Sequence, residues 1–225
     1  MEKSATIIYP TNRLPPEVAQ FFTVHPKDPQ PRLIRQAAQI LREGGVIAYP
    51  TDSSYALGCR VGDAEAAKRL RQVRGLGDGH FLTLVCRDLA DAGHYARLAN
   101  WQFKIVRQGI PGAFTFLLPA TREVPRRLQH PKRNTVGIRV PDHRVVNALL
   151  AELGEPILST TLILPGTTTP LNDPNAIRER LQASLDLVID AGPCVDVPTT
   201  VIDLATEPGV IVRLGGGDPA RLGLA

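Results

Sequence analysis

The order of predicted helices and strands constrains the fold of this chain more than any other feature of its sequence. Helical segments, with apolar residues every three or four positions, alternate with short apolar runs typical of strands. Two strands often lie between consecutive helices, as in 46–61, where two strands precede the helix 64–74. A strictly parallel doubly wound sheet would place a helix after every strand. We therefore predict an α/β fold in one domain, a single-domain twisted mixed β-sheet with packed helices.

The individual elements follow from the same periodicity and from helix-ending glycines and prolines. Helices are predicted at 32–43, 64–74, 101–108, 143–153 and 176–185. Strands are predicted at 46–50, 55–61, 81–86, 113–118, 136–140, 156–161, 187–189, 199–204 and 209–214.

Composition and the positions of the prolines predict the domain boundaries and the cellular compartment. Prolines interrupt the first residues, so we expect an N-terminal extension over 1–24, a domain over 25–218 and a C-terminal tail over 219–225. The chain is 43% apolar, which excludes disorder, and no apolar run approaches the roughly 20 residues of a membrane helix. No stretch resembles a signal peptide, and the three cysteines form no CxxC pair. We expect a cytoplasmic protein without disulfides or membrane contact.

Positive charge is concentrated in the middle of the chain. Residues 60–144 carry a net charge of +9 and residues 145–225 a net charge of −6. Two basic runs, 68–74 and 122–133, are either solvated faces or contacts to an anionic partner, with tRNA or double-stranded RNA as the expected partner. The residues predicted to contact RNA are Lys68, Arg69, Arg71, Arg126, Arg127, Lys132 and Arg133.

Several common catalytic motifs are missing from the sequence. It contains no P-loop, no GxSxG and no HExxH, and its glycine-rich GLGDGH (75–80) follows a helix instead of a strand. The five histidines have no metal-ligand spacing and are interpreted as surface or cap residues. We expect no protein-bound metal site.

The segment GGVIAYPTDSSYALGC (44–59) is the most informative motif. By itself it indicates a strand, a polar turn and a second strand. It resembles the opening segment of the YrdC-like threonylcarbamoyl-AMP synthase family. PGAFTFLLPA (111–120), VGIRVPDH (136–143), PILSTT (156–161), PTTVIDL (198–204) and VIVRLGGGD (210–218) resemble later family segments in the same order. RGLGDGHFLTLVCRDL and ILSTTLILPG are similar to the YciO subgroup of that family.

The resemblance implies a YrdC-like fold and a nucleotidyltransferase reaction. In this reaction the carbamate of threonine, formed with bicarbonate, attacks the α-phosphate of ATP, and pyrophosphate leaves. The adenylate then serves tRNA modification. ATP would bring Mg²⁺, and L-threonine and bicarbonate would be the other substrates. An enzyme can catalyse this reaction by positioning the substrates and stabilising the charge that develops on the phosphate oxygens, without a protein nucleophile.

Site residues are carried over by position from this resemblance. Arg74 and Thr161 occupy catalytic positions, and Thr51 and Thr199 occupy threonine-binding positions. The nucleotide-contacting positions are Thr115, Arg139, Ser159 and Arg213. An alternative for the two strand arginines is an internal salt bridge, and for the hydroxyls a bond to backbone.

Two departures from the family pattern leave the function open. Leu76 stands where the synthases carry a second base, and Ile163 where they carry an amide. One hypothesis is an ATP-using synthase or a relative with an altered substrate. The other is an RNA-binding protein with little or no synthase activity.

Overall fold

One mixed sheet forms the centre of the molecule. The computed structural model describes residues 18–224 except 78, 79, 81 and 131. The described strands are β1 (Gln20–Thr23), β2 (Ile47–Tyr49), β3 (Ala56–Arg60), β4 (Thr83–Val85), β5 (Phe114–Pro119), β6 (Thr135–Arg139), β7 (Ile157–Thr161), β8 (Leu187–Asp190), β9 (Thr200–Asp203) and β10 (Val210–Arg213). Their order in the sheet is β1-β8-β2-β3-β7-β4-β6-β5-β9-β10.

Parallel and antiparallel neighbours are interspersed in this sheet. β1 and β8, β8 and β2, β4 and β6, and β5 and β9 pair in parallel. The other neighbouring pairs are antiparallel. The predicted mixed α/β fold is therefore confirmed.

Helices cover both faces of the sheet, but unequally. They are α1 (Pro31–Arg42), α2 (Ala64–Arg74), α3 (Leu89–Tyr95), α4 (Asn100–Gly109), α5 (Arg144–Leu153) and α6 (Pro174–Leu181). Helices α1 and α5 pack over β8, β2 and β3 on one face, whereas α2, α3, α4 and α6 pack against the other face. The first face thus has no helix over β6, β5 and β9 within the described residues, and this bare part carries the candidate site.

Helix α2 shows how local chemistry sets the bounds of an element. The Asp63 carboxylate accepts the backbone N–H of Ala66 at 2.9 Å and caps the first turn, as the sequence predicted. Gly75 ends the helix at φ +65°, a conformation that glycine adopts without strain. Ala66 and Leu70 are buried between these ends, so the helix packs its apolar side on the sheet.

Three parts of the chain differ from the sequence interpretation. β1 lies within the predicted extension yet pairs with β8, whereas residues 1–17 lie outside the described part. Helix α3 has too few apolar residues for its period to be recognised. Leu222, in the predicted tail, is buried in the core within a short 3-10 turn. No described helix is long and apolar enough to cross a membrane.

Candidate functional site

A cleft of about 340 Å³ occupies the bare part of the sheet. Side chains alternate along a strand, so every second residue of β5 faces it: Thr115 and Leu117 line the cleft, whereas Phe116 lies in the core behind. Gly137 on β6 has no side chain and so leaves space in the cleft between Thr83 and Thr115. A Cβ at this position would lie 3.0 Å from Thr83 Oγ1 and 3.6 Å from Thr115 Cγ2, within the space between them.

Arg139 is fixed at the floor of the cleft by the polar turn after β2. Its Nη2 forms an ion pair with Asp52 and donates to Thr51 Oγ1 at 3.1 Å and to Ser53 Oγ at 2.9 Å. Arg139 therefore forms the internal salt bridge that the sequence left open as an alternative, because the turn supplies a carboxylate. Its Nε is buried without a partner, and the residue is 7% exposed.

Thr51 does not line the cleft, but its hydroxyl accepts a hydrogen bond from Arg139, which does. Its hydroxyl donates to Ser54 O at 2.6 Å and accepts two backbone N–H groups of the turn at 3.2 Å each. With the bond from Arg139 added, the hydroxyl is fully engaged. The structure thus places Thr51 as a support for Arg139.

Thr115, Thr199 and Arg213 meet at one wall of the cleft. The two threonine hydroxyls are 2.9 Å apart, and both residues are buried. Arg213 Nη2 donates to the carbonyl of Thr199 at 2.9 Å. Burial lowers the pKa of Arg213, and so does the neighbouring charge of Arg139. Within the described chain no carboxylate lies within ion-pair distance of Arg213.

The strand that carries Arg213 is an exposed edge of the sheet. Val210 and Val212 are 56% and 57% exposed. The predicted strand is therefore present but lies at the edge of the sheet, because among the described strands β10 pairs only with β9. Arg213 is consequently at the rim of the cleft.

Ser159 and Thr161 place hydroxyls from β7 on the opposite wall. Ser159 Oγ donates to Leu57 O at 3.0 Å and lies 2.6 Å from the Tyr49 hydroxyl. Burial raises the pKa of Tyr49 to about 12, so this phenol stays protonated and donates to Ser159. Arg74 Nε donates to Thr161 O at 2.7 Å, and burial lowers the pKa of Arg74.

The two positions that depart from the synthase pattern lie off the cleft lining. Leu76 is half-buried against the apolar cluster on the other face of the sheet. Ile163 is also half-buried, just after the end of β7. Neither residue lines the cleft.

His80 lines the cleft, although no sequence pattern separates it from the other histidines. Burial lowers its pKa, and the charges of Arg74, Arg71 and Arg213 lower it further. Near these three cations the imidazole is neutral and can donate or accept a hydrogen bond. An anion bound nearby would favour its protonated, positively charged form. Only the tertiary arrangement of α2 and β10 reveals it.

The predicted RNA-contacting residues fall into two groups. Four of them bond within the protein: Arg69 to Asp186 at 2.8 Å, Arg71 to the carbonyls of Gly77 and His80, Arg127 to Gly62 O, and Arg133 to Asp203 at 2.6 Å. The other three, Lys68, Arg126 and Lys132, are exposed and have no ion pair within the described chain.

The described residues bring no three His, Cys, Asp or Glu side chains together as a metal site. No acidic residue lines the cleft, and Asp52, in the turn after β2, is bound to Arg139. The cleft therefore presents cations and hydroxyls, a donor set suited to an anionic ligand rather than to a metal ion.

These features define an α/β protein whose open sheet face carries a polar, arginine-bearing cleft. A family model described as "Telomere recombination", that of Sua5, YciO and YrdC proteins, matches residues 39–215. The chain belongs to the Sua5/YciO/YrdC family.

Relatives in both branches of the family support this assignment. YciO of Escherichia coli is 50% identical over 89% of this chain and 98% of its own, and its crystal structure superposes with a TM-score of 0.88. A threonylcarbamoyl-AMP synthase of Chromobacterium violaceum is 34% identical over 84% of this chain and 96% of its own. P. abyssi Sua5 in complex with L-threonine has a TM-score of 0.80 and 27% identity, over 87% of this chain and 57% of that one.

Proposed function

We propose that the cleft binds ATP and L-threonine and supports a threonylcarbamoyl-AMP synthase reaction, at a lower rate than in relatives with the full set of polar catalytic side chains. The observation that carries this proposal is the convergence of Arg139, Arg213 and the Thr115–Thr199 hydroxyl pair on one bare sheet face. The chain is also similar to synthases of that name and to a protein solved with L-threonine.

The charge pattern of the cleft supports a phosphate-bearing ligand. Arg213 has no carboxylate partner in the described chain, and Arg139 keeps one buried N–H unpartnered. A buried donor without an acceptor is costly, so a ligand oxygen placed there would be stabilised. Because the arginine is already held by the turn, little ordering is needed when the ligand binds.

The chemistry we propose requires no protein nucleophile. The carbamate oxygen attacks the α-phosphorus, the bond from that phosphorus to the bridging oxygen breaks, and pyrophosphate leaves. Arg213 and His80 would face the charge that develops on phosphate oxygens, and Arg139 would hold the ligand at the floor. Any Mg²⁺ would arrive on the triphosphate, because the protein groups that line the cleft are cations and hydroxyls.

The direct test is pyrophosphate release from ATP, with each substrate omitted in turn. We expect release that requires both threonine and bicarbonate and that is lost in Arg139→Lys, which lacks the planar guanidinium and its unpartnered Nε–H. Thr121→Val, which alters a hydroxyl outside the cleft, is the matched control. Release that is indifferent to threonine would show that the amine substrate is another compound.

A second candidate function is binding of structured RNA, because exposed cations remain unpaired. Lys68, Arg126 and Lys132 are solvent-exposed and have no ion pair in the described chain. Retention of a labelled RNA duplex by the protein, weakening with added salt, would support this function. A protein that retains no duplex even at low salt would exclude it.

A further inference from the structure

The connection between β5 and β6 forms a second cavity, of about 710 Å³. Arg97, Arg122, Arg126 and Arg133 line it together with His130, and none of its lining residues is acidic. Two of these residues, Arg97 and Arg122, were not among the predicted RNA contacts. Arg97 follows α3 and joins the cavity because its backbone N–H bonds to Pro119 O at 2.8 Å.

The wall of this cavity is a fixed structure. Val124 is 1% exposed and Leu128 5% exposed, so both anchor the connection in the core. The Thr121 hydroxyl donates to His94 O at 2.6 Å, and Gln129 Nε2 donates to Val124 O at 2.7 Å. Anchoring of this kind presents the arginines at defined positions.

Most of the charge in the cavity is not neutralised within the protein. Arg133 is paired with Asp203 at 2.6 Å. For Arg97, Arg122 and Arg126, no carboxylate of the described chain lies within 4 Å. Glu123 belongs to the same connection but is exposed and does not line the cavity. Three uncompensated guanidinium groups thus surround one depression.

The connection that forms this cavity is anchored in the apolar cluster on the face of the sheet opposite the cleft. The cavity and the cleft share no lining residue. Leu117 of β5 points into the cleft, whereas its neighbour Leu118 lies in the buried cluster that holds Val124 and Leu128. Consecutive strand residues point to opposite faces, so the connection packs behind the sheet as seen from the cleft.

Helix α2, which bears the exposed Lys68, packs on the same face as the hairpin cavity. Arg127 joins the two by donating to Gly62 O, next to the start of α2. The cations free for a partner are therefore spread over one surface, instead of being enclosed as in a small-molecule pocket. Among the described residues no Phe, Tyr or Trp lines the cavity, so contacts to phosphates are expected to dominate over contacts to bases.

We propose that this hairpin cavity is a docking site for the phosphate backbone of structured RNA, with Arg97, Arg122 and Arg126 as its phosphate contacts. The proposal rests on the RNA-binding candidate function. Arginine binds phosphate oxygens bidentately, and contacts of this type position an RNA without reading its sequence. Because the cavity and the cleft are separate, RNA and ATP bind at the same time.

The test measures binding of a fluorescent 20-bp RNA duplex by anisotropy at several salt concentrations. The triple variant Arg97→Gln/Arg122→Gln/Arg126→Gln should lose at least tenfold in affinity at low salt, with a salt slope shallower by about 2–3. The control Lys27→Gln/Arg32→Gln/Arg35→Gln removes three exposed cations at and before α1, on the opposite face, and should change affinity less than threefold. Thermal melting of both variants checks their fold.

Competition separates this proposal from the function on which it rests. We expect saturating ATP and Arg213→Ala to leave duplex affinity unchanged. Duplex binding that ATP displaces and the triple variant retains would place RNA in the cleft, which overturns the hairpin site but keeps RNA binding. Absence of duplex binding by the unmodified protein overturns both. Displacement of the duplex by inorganic triphosphate at equal phosphate concentration would identify a site for small anions and overturn the RNA assignment.

Discussion

At the residue scale, the arginines show that position in the chain does not determine a side chain's role. Arg139 and Arg213 both follow apolar strand residues, yet one is buried with Asp52 and the other is at an exposed rim. Arg139 is held by three side chains of one turn, which defines its geometry before a ligand arrives. Arg213 bonds to a carbonyl and can also reach a ligand, because a guanidinium has five donors.

Replacement of Arg213 by alanine should weaken ATP binding several-fold without unfolding the protein. The residue lies on an exposed edge strand, so its removal leaves no cavity in the core. Titration calorimetry measures the affinity, and circular dichroism checks the fold. Arg221→Ala, an exposed arginine outside the cleft, is the matched control. Equal ATP affinity in a folded Arg213→Ala variant contradicts the nucleotide assignment.

Restoring the two missing polar groups should raise synthase activity. Because the resemblance places a base and an amide where Leu76 and Ile163 stand, we expect Leu76→Arg/Ile163→Asn to increase pyrophosphate release roughly 100- to 1,000-fold, the range that one transition-state donor contributes. Leu76→Met/Ile163→Leu preserves the packing of both half-buried side chains and serves as the control. If the unmodified chain already releases pyrophosphate as fast as a synthase that carries both polar groups, the two departures do not affect activity.

At the element scale, ion pairs connect helices to the sheet. Asp186 is 1% exposed next to β8 and accepts both Val46 N at 2.7 Å and Arg69 Nη2 at 2.8 Å. Arg69 was predicted to contact RNA, but the carboxylate of Asp186 takes up its charge. The Asp186 carboxylate thus links α2 to the residues that precede β2 and β8.

Arg69→Gln should therefore lower the free energy of unfolding by about 2–4 kcal/mol, since it leaves a buried carboxylate without its cation. Lys68→Gln, which removes the adjacent exposed cation, should change it by less than about 0.5 kcal/mol. Urea denaturation followed by circular dichroism measures both values. Equal stabilities would show that Asp186 needs no counter-charge.

The N-terminus of α5 should make stability depend on pH. Burial lowers the pKa of His143, the Arg139 charge lowers it further, and Asp52 and Asp142 oppose the shift. The unfolded chain, with an ordinary pKa near about 6.5, therefore binds protons first as the pH falls. Stability should decrease below that pH, by at most about 1.4 kcal/mol per pH unit for this proton.

His143→Gln should flatten this dependence, as measured by urea denaturation between pH 5 and 8. The pKa of His80 is lowered as well, so part of the slope should persist in the variant. Above about pH 7.5 both histidines are neutral in either state, and the two proteins should then differ by a constant amount. An unchanged slope in the variant would contradict the role of His143.

At the scale of the whole molecule, the two faces of the sheet are used differently. One face is covered by helices and carries the hairpin cavity at its border, whereas the other is half bare and carries the cleft. The cleft is formed by strands from 56 to 213, so a ligand there contacts segments distant in sequence. A ligand that binds these segments only when they are assembled stabilises the folded state.

ATP should accordingly raise the melting temperature of the protein. At about 100 times its dissociation constant, a ligand adds about 2.7 kcal/mol, or roughly 5–10 °C for a domain of this size. Differential scanning fluorimetry measures the shift, and Arg213→Ala should show a smaller one at the same ATP concentration. Absence of any shift at millimolar ATP with Mg²⁺ would contradict nucleotide binding by the native state.

The sequence by itself determined most of the elements, the mixed sheet and the family. The helix at 64–74, its Asp63 cap and the strands flanking the turn at 51–54 were all predictable, because periodicity and capping are local properties. The family resemblance also named Thr115, Thr199, Ser159 and Arg139, which the structure brings to one cleft. These residues lie in motifs whose order is visible in the chain.

Only the tertiary structure decided which charges are free. Arg139 meets Asp52 across 87 residues, and Arg69 meets Asp186 across 117. Such pairs depend on strand order, which the local pattern does not specify. The same holds for His80 in the cleft and for Arg97 in the hairpin cavity. A charged side chain's energy is set by what surrounds it after folding, because burial and partners shift it by several kcal/mol, whereas an element's periodicity is fixed before folding begins.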